Sequence, residues 1–249
     1  SFDLNVYINN MSYLKKMINN NNINYCTFNN NNKYKIKNAY YAPLLNKNNL
    51  SQSNIVKNNI SFDKNLIITG PNASGKTTTL KSIMFNILLS QQIGCGFYDT
   101  ANLKIYHYLH SYINIPDTSN RDSLFQAEAR RCKNIIDSIN NNPNKNHFCI
   151  FDELYSGTNP DEAVKSGLIL TNYINNRDNV NFILTTHYKK LCKKIKNIDK
   201  YKMSITKLDN NKLKYNYNLV KGISNDKGGL VVLENMNYPD SLLNKYKES

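Results

Sequence analysis

The chain has 249 residues, enough for one large domain or two small ones. Its 32 Lys+Arg against 18 Asp+Glu give a formal charge of +14, which suits an anionic partner such as nucleic acid but equally fits a chain rich in Asn, Lys, Ile and Tyr. Five scattered cysteines without a C-x-x-C pair argue against a disulfide framework or zinc site and indicate a reducing, intracellular compartment, cytoplasmic or nuclear. With no membrane-length apolar run and no signal pattern, we expect no membrane partner.

The first 34 residues are predicted to be a helical, Asn-rich lead-in. Apolar residues at helical spacing predict an amphipathic helix over residues 4–18, and runs of asparagine at 19–22 and 29–32 interrupt regular structure. A short strand is predicted between these runs, at Tyr25–Phe28. Weak alternation over Ile55–Phe62 predicts another strand or sheet edge.

Residues 66–81 read as a buried strand, a glycine-rich loop and a helix start. The spacing from Gly70 to Gly75-Lys76-Thr77 is that of a phosphate-binding loop, in which glycines permit tight turns and backbone N–H groups converge on a phosphate. Lys76 is predicted to reach the β- and γ-phosphates of ATP, and the Thr77 hydroxyl to ligate Mg²⁺. The predicted nucleotide-binding residues of the loop are Gly70, Pro71, Asn72, Ala73, Ser74, Gly75, Lys76, Thr77 and Thr78.

The next helix presents an apolar face and ends at glycine near residue 94. His107 and His110 have a spacing that suits a metal, but no further ligand lies near them in the sequence. Ser123 and Gln126 form a capping box for a helix running to about Asn140. Ser123 can cap that helix alone or also face a phosphate, and the two roles are compatible.

A second nucleotide signature is the apolar strand His147–Phe151, which ends in Asp152-Glu153. We predict that Asp152 binds Mg²⁺, directly or through water, and that Glu153 orients or deprotonates the attacking water. A solvated strand end is the alternative. Asp161 and Glu162 are expected in the first turn of a following helix, where the helix dipole favours acids.

A third buried strand over residues 180–186 delivers His187 to its carboxyl end. Ligands of open α/β sheets bind at such ends, so His187 is predicted to meet the γ-phosphate, with a capping or core histidine as the alternative. Residues 203–206, 213–220 and 230–233 are predicted strands, and a short helix is expected to start at 238–240.

Several of these motifs occur together in the order of one family. The set comprises Gly70-Pro-Asn72 with Ser74-Gly-Lys-Thr77, Gln92-Ile-Gly94, Ser123-x-Phe125-x-x-Glu128, Asp152-Glu153 with Gly157-Thr158, Thr185-Thr-His187-Tyr188, and Tyr217-x-Leu219-x-x-Gly222-Ile-Ser224. Residues 35–249 therefore resemble the ATPase domain of the MutS family, a branch of the ABC-type ATPases. The implied fold is an α/β P-loop NTPase with a mixed, mostly parallel sheet flanked by helices, plus a small β-rich subregion.

The resemblance also implies a mechanism. Two domains would pair head to tail around ATP, each site taking the loop and Asp152-Glu153 from one copy and Ser123 from the other. Glu153 resembles the family's catalytic carboxylate, His187 its switch histidine, and Glu162 an acid beside the dimer seam. Lys76 completes the predicted catalytic set, and ATP and Mg²⁺ are the implied cofactors.

The sequence departs from the family in places. Leu154-Tyr155-Ser156-Gly157 stands where members commonly have Gly-Arg-Gly, which puts contacts across the dimer in doubt. Ile55 occupies the place of an aromatic residue on the adenine, so we expect aliphatic contact there, with Gln92 as a further nucleotide ligand. The Asn159-Pro160 region resembles branches outside mismatch repair.

Nothing in the sequence resembles the family's mismatch-reading domain or its clamp helices, and residues 4–18 are the one candidate lever remnant. We therefore expect DNA contact mostly through regions outside this sequence. The leading prediction is an ATP-hydrolysing domain acting in DNA mismatch repair or recombination. The alternatives are a nucleotide-gated dimerisation scaffold with little turnover, and a non-repair ABC-type module, for which a Leu-Ser-Gly-Gly-type signature before Asp152 is missing.

Overall fold

The computed structural model describes residues 2–20, 22–29, 34–47, 55–115, 123–207, 213–225, 233–234, 236, 238–239 and 241–243. Its helices are α1 (Phe2–Asn19), α2 (Pro43–Lys47), α3 (Lys76–Ile93), α4 (Leu124–Asn141), α5 (Pro160–Asn175) and α6 (Lys189–Lys194). Its strands are β1 (Asn24–Phe28), β2 (Lys35–Ala39), β3 (Asn58–Ser61), β4 (Leu66–Thr69), β5 (Cys95–Gly96), β6 (Thr100–Leu103), β7 (Tyr108–Tyr112), β8 (His147–Asp152), β9 (Val180–Thr186), β10 (Asp199–Lys207) and β11 (Leu213–Lys221).

The contacts divide the chain into two units. The first unit comprises residues 1–63 and 81–105, and the second comprises residues 64–80 and 106–249. The predicted lead-in includes β1, which pairs with β6 and β5 inside the sheet of the first unit. The domain boundary at residue 35 stays a prediction.

The first unit contains a five-stranded sheet in the order β3-β2-β6-β1-β5. This is the β-rich subregion that the sequence predicts. A buried polar network supports it: the Asn86 amide accepts a hydrogen bond from the backbone N–H of Phe97 at 2.7 Å and donates to the carbonyl of Tyr40 at 3.1 Å. Helix α1 leaves several large apolar side chains exposed, among them Leu4, Tyr7 and Ile8.

The second unit contains a six-stranded sheet in the order β11-β10-β4-β9-β8-β7. β10, β4, β9, β8 and β7 run parallel to one another, and β11 pairs antiparallel with β10 at the edge. The prediction of a mixed, mostly parallel sheet with the three apolar strands at its centre is thus confirmed. Strands buried on both faces of a parallel sheet are continuously apolar, as residues 66–68 of β4 and 148–151 of β8 are.

Helices α4, α5 and α6 pack with this sheet in one apolar core. α4 begins at the predicted capping box: the Ser123 hydroxyl accepts from Gln126 N, and the Gln126 side chain accepts from Ser123 N. α5 begins at Asn159, whose side chain accepts from Glu162 N. Both predicted helices are confirmed. Most of the predicted strand at 230–233 and Asp240 of the predicted terminal helix lie outside the described residues.

Candidate nucleotide site

The candidate site lies at the carboxyl ends of the central strands of the second unit. β4, β9 and β8 are adjacent and parallel, so the residues that follow them meet at one edge of the sheet. β4 leads into the glycine-rich loop, β8 ends at Asp152, and β9 leads to His187. The topology therefore brings together segments that are far apart along the chain.

The glycine-rich loop takes the backbone shape that its sequence requires. Ala73 and Gly75 have φ angles of 61° and 96°, in the left-handed region that favours glycine. The Ser74 hydroxyl is buried and makes no hydrogen bond, one of three such side-chain atoms among the described residues. An orphaned buried hydroxyl in a loop of this shape fits a phosphate oxygen, which would accept a hydrogen bond from it.

Lys76 begins α3 and is 5% exposed. Its ammonium donates to the carbonyls of Gly70 and Pro71, at 2.9 and 3.1 Å, and lies 3.2 Å from Oε1 of Glu153. The ammonium thus lies over the loop and is paired with Glu153, which follows β8. This position puts the ammonium where the loop can present it to a bound phosphate.

Asp152 is held from two sides. Thr77 Oγ1 donates to its Oδ2 at 2.7 Å, and Thr185 Oγ1 donates to its Oδ1 at 2.5 Å. Thr77 and Asp152 were predicted from sequence as the Mg²⁺ ligands, and the structure brings their oxygens into contact. Hard oxygen donors of this kind suit Mg²⁺, so the residues present fit that ion.

Glu153 lies between the Lys76 ammonium and the His187 ring. Its Oε2 is 3.6 Å from Nδ1 of His187, and its Oε1 faces Lys76. The contact with His187, together with the charge of Lys76, lowers the pKa of Glu153 to about 2 against the opposing effect of burial. The carboxylate is therefore ionised across the physiological range. Its φ of 53° is uncommon for a residue other than glycine, and its N–H donates to the Thr185 carbonyl at 3.1 Å.

The structure brings Lys76, Thr77, Asp152, Glu153 and His187 together. Within the same unit, Ser123 lies exposed at the start of α4. Ile55 and Gln92 belong to the first unit, where Ile55 is buried and Gln92 exposed, and their nucleotide-binding roles stay predictions. Of the remaining loop residues, Asn72 and Ala73 are exposed, Pro71 is buried and Thr78 is partly buried.

Sequence reasoning missed the roles of three residues around the site, each of which it names only within a family motif. Thr185 is completely buried and fixes Asp152. Glu128, singled out only as part of a motif, is a buried acid on α4. A signal for Glu128 was available, because it interrupts the apolar face of α4 three residues after Phe125 and four before Cys132.

The third missed residue is Tyr217, on the β10–β11 hairpin. A Cβ built on Gly75 would lie 3.0 Å from Cδ1 of Tyr217, so the ring lies against the loop at a residue whose φ of 96° favours glycine. Between Met203 and Ile205 the pairing is irregular: β10 advances two residues while β11 advances four. Tyr217 lies in this bulge with a φ of 59°, and bulges commonly re-aim a side chain near a functional site.

These features define a mixed α/β protein with a glycine-rich loop, a buried lysine and an acid pair at the carboxyl edge of its main sheet. Residues 66–249 match the family model of MutS domain V. The chain belongs to the MutS family.

The chain is similar to two proteins of Fusobacterium nucleatum. It is 28% identical over 186 residues to a protein named Endonuclease MutS2, covering 74% of this chain and 23% of the relative. It is 28% identical over 197 residues to one named DNA mismatch repair protein MutS, covering 76% of this chain and 21% of the relative. An Endonuclease MutS2 of Staphylococcus haemolyticus is 27% identical over 216 residues, covering 85% of this chain and 26% of the relative. The chain thus spans about a quarter of the length of these relatives. No helix in the described part of the chain is long and apolar enough to cross a bilayer.

Proposed function

We propose that this chain is the ATP-binding and ATP-hydrolysing domain of a MutS-like protein of DNA mismatch repair or recombination, with the fold of an ABC-type P-loop NTPase. The observation that carries the proposal is the convergence of Lys76, Thr77, Asp152, Glu153 and His187 on one edge of the sheet. The family membership supports it, and the names of the relatives connect the family to DNA.

In this proposal each residue has a defined task. The loop from Gly70 to Thr78 and the Ser74 hydroxyl bind the phosphates of ATP, and Lys76 neutralises their charge. Thr77 and Asp152 hold Mg²⁺, which would supply charge neutralisation at the β- and γ-phosphates. Glu153, ionised at neutral pH, accepts a hydrogen bond from the attacking water and orients it. His187, in contact with Glu153, is placed to respond to the γ-phosphate.

A second copy of the chain completes the site. We propose that two copies pair head to tail around ATP, with Ser123 of each reaching the nucleotide held by the other. The exposed position of Ser123 at the start of α4 is compatible with this role. Hydrolysis would then loosen the pair. DNA is the proposed macromolecular partner, and the surplus of Lys and Arg predicts binding that weakens steeply with salt.

The experiment compares the parent with Glu153→Gln in two measurements. Light scattering after size-exclusion chromatography, with and without a non-hydrolysable ATP analogue, measures nucleotide-dependent dimerisation. Steady-state phosphate release measures turnover. We expect the analogue to produce a dimer, and Glu153→Gln to bind ATP, lose at least about a hundredfold in kcat, and dimerise with ATP itself.

The control is Asp137→Asn, which removes an exposed acid paired with Lys133 on α4 and should change neither measurement. If Glu153→Gln hydrolyses ATP as fast as the parent, the assigned mechanism is wrong. A parent that dimerises with nucleotide but does not turn it over, with or without DNA, would identify the domain as a nucleotide-gated scaffold instead.

A further inference from the structure

Glu128 is an acid buried in the second unit, outside the cluster of site residues. It is 2% exposed, and its carboxylate accepts three hydrogen bonds. Oε1 accepts from the N–H of Ser156 at 3.0 Å and from the Ser156 hydroxyl at 2.9 Å, and Oε2 accepts from the N–H of Gly157 at 3.1 Å. A carboxylate is costly to bury unless donors satisfy it, and here all three donors come from one turn of the chain.

The same turn packs against the start of α4. A Cβ built on Gly157 would lie 2.7 Å from Cγ of Leu124 and 2.9 Å from the backbone nitrogen of Phe125, so only glycine allows this approach. The rings of Phe125 and Tyr155 are 5.7 Å apart and tilted. The turn after Glu153 and the first two turns of α4 are therefore held together by hydrogen bonds and by close packing.

The turn is also directly connected to the site. Only Leu154 and Tyr155 separate Glu153 from Ser156. Tyr155 has a φ of 59°, and its N–H donates to the hydroxyl of Tyr112 at 3.2 Å. Two non-glycine residues in left-handed conformations so close together persist only where the surroundings hold them. The bonds from Ser156 and Gly157 to Glu128 supply part of that restraint.

We propose that Glu128 is a positioning residue that couples the loop carrying Glu153 to the helix end carrying Ser123. The proposal rests on the proposed function, in which Glu153 acts in the protomer's own site and Ser123 in the site of its partner. One buried carboxylate then links the two sites within a single protomer. When the Ser123 end of α4 moves, the loop that places Glu153 moves with it.

The test is Glu128→Gln in the full chain. Glutamine keeps the size of the side chain, but its amide NH₂ cannot accept the bond that one carboxylate oxygen accepts. Hydrogen–deuterium exchange, followed by mass spectrometry, should show at least about tenfold faster exchange in the segments 153–158 and 123–128. In kinetics, kcat for ATP should fall roughly ten- to hundredfold, while the Kd for the ATP analogue stays within about twofold.

Ser156→Ala keeps the test falsifiable if Glu128→Gln folds poorly. It removes one of the three donors on the loop side, and should shift exchange and kcat in the same direction by a smaller factor. Where Glu128→Gln folds, the double variant should cost less than the product of the two single effects, because both act on one cluster of hydrogen bonds. Asp137→Asn, on the exposed face of the same helix, is the matched control and should alter nothing.

The two readouts separate this proposal from the proposed function. If the parent does not hydrolyse ATP, the proposed function fails, and exchange alone decides the coupling: faster exchange in both segments supports it, and faster exchange in 153–158 alone overturns it. If the parent hydrolyses ATP, an unchanged kcat in a folded Glu128→Gln protein overturns the coupling. A loss of analogue affinity as large as the loss of kcat also overturns it, because that result indicates general damage to the site.

Discussion

The two ends of β8 hold ionisable groups in contrasting ways. At the carboxyl end, Lys76 and His187 surround Glu153 and favour its charged form. At the amino end, the rings of His110 and His147 stack 5.3 Å apart between their centroids, and burial lowers the pKa of both, that of His110 to about 4. The carboxyl end of β8, the charged end, thus holds ionised groups where a polyphosphate is proposed to bind. The amino end, the neutral end, holds histidines whose uncharged form is favoured.

The hydrogen bonds at the amino end select one arrangement of neutral rings. Nε2 of His147 lies 3.1 Å from the carbonyl of Asn142, which can only accept, so that nitrogen carries the proton. Nδ1 of His147 then accepts from Nε2–H of His110 at 3.1 Å. A proton added to Nδ1 of His147 would point at the N–H of His110, so that two donors would face each other. This contact therefore favours the uncharged form of His147.

The largest effect is expected from Lys76→Ala, which removes a cation from the charged end of β8. The variant removes the ammonium that contacts Glu153 and is proposed to neutralise the phosphates. We expect ATP affinity to fall at least about a hundredfold, measured by isothermal titration calorimetry. Lys64→Ala, an exposed lysine just before β4, is the matched control and should bind like the parent. Equal affinities for Lys76→Ala and the parent would remove the basis for a phosphate site here.

The sequence predicts the elements that meet at the charged, carboxyl end of β8, but it does not predict the histidine pair at the neutral, amino end, for a physical reason. The loop from Gly70 to Thr77 is a local pattern, and a strand followed by two acids places Asp152 without knowledge of its neighbours. The His110–His147 contact, by contrast, depends on the register between β7 and β8, which pairs Tyr108 with His147. A spacing of three between His107 and His110 carries no information about that register.

The same limit explains the missed residues of the site. The bond of Thr185 to Asp152 requires the pairing of β8 with β9, in which these two residues are opposite each other. The position of Tyr217 depends on a bulge in the edge hairpin. The hydrophobic pattern and local motifs determine which elements form, whereas contacts between elements decide which polar side chains hold the functional ones.

The second prediction concerns the pH dependence of stability. The groups at the two ends of β8 should change the free energy of unfolding in different pH ranges. His110 and His147 bind protons less tightly when folded, so their contribution to stability is complete above pH 6.5 and is lost as the pH falls toward about 4. The lowered pKa of Glu153 gives stability that is complete above pH 4.5 and is lost toward about 2. The parent should lose on the order of 2 kcal/mol of unfolding free energy between pH 6.5 and 4 through the histidines.

Urea unfolding at a series of pH values measures this loss. His110→Phe keeps an aromatic ring in the stack but removes one titrating group, so its stability should fall less steeply over the same range. In Glu153→Gln, the free energy of unfolding should fall with pH between 6.5 and 4.5 as steeply as in the parent. It should fall less steeply only below pH 4.5. If His110→Phe and the parent have the same slope between pH 6.5 and 4.5, the neutral pair is assigned wrongly.

The third prediction tests how Asp152 is held. Thr185→Val keeps the shape of the side chain but removes the hydroxyl that donates to Asp152. We expect the Mg²⁺ concentration for half-maximal ATP hydrolysis to rise about tenfold, because a side chain that hydrogen-bonds a metal ligand fixes the orientation of that ligand. Thr171→Val is the matched control, since Thr171 is equally buried and donates to Gly167 within α5 at 2.6 Å. If both variants shift the Mg²⁺ dependence equally, the effect reflects stability alone.

The smallest effect is expected from Tyr217→Ala, which tests whether the edge hairpin supports the charged end of the sheet. The ring is 45% exposed, yet it lies against Gly75, and the buried side chain of Met203 supports the loop from beneath at both of its glycines. Removing the ring should weaken ATP binding roughly two- to fivefold, the range expected for one aromatic packing contact. Val220→Ala, an exposed residue on the same strand outside the bulge, should bind ATP as the parent does. An affinity unchanged in Tyr217→Ala would show that the loop keeps its shape without the hairpin, and that Lys76 and the acids alone define the site.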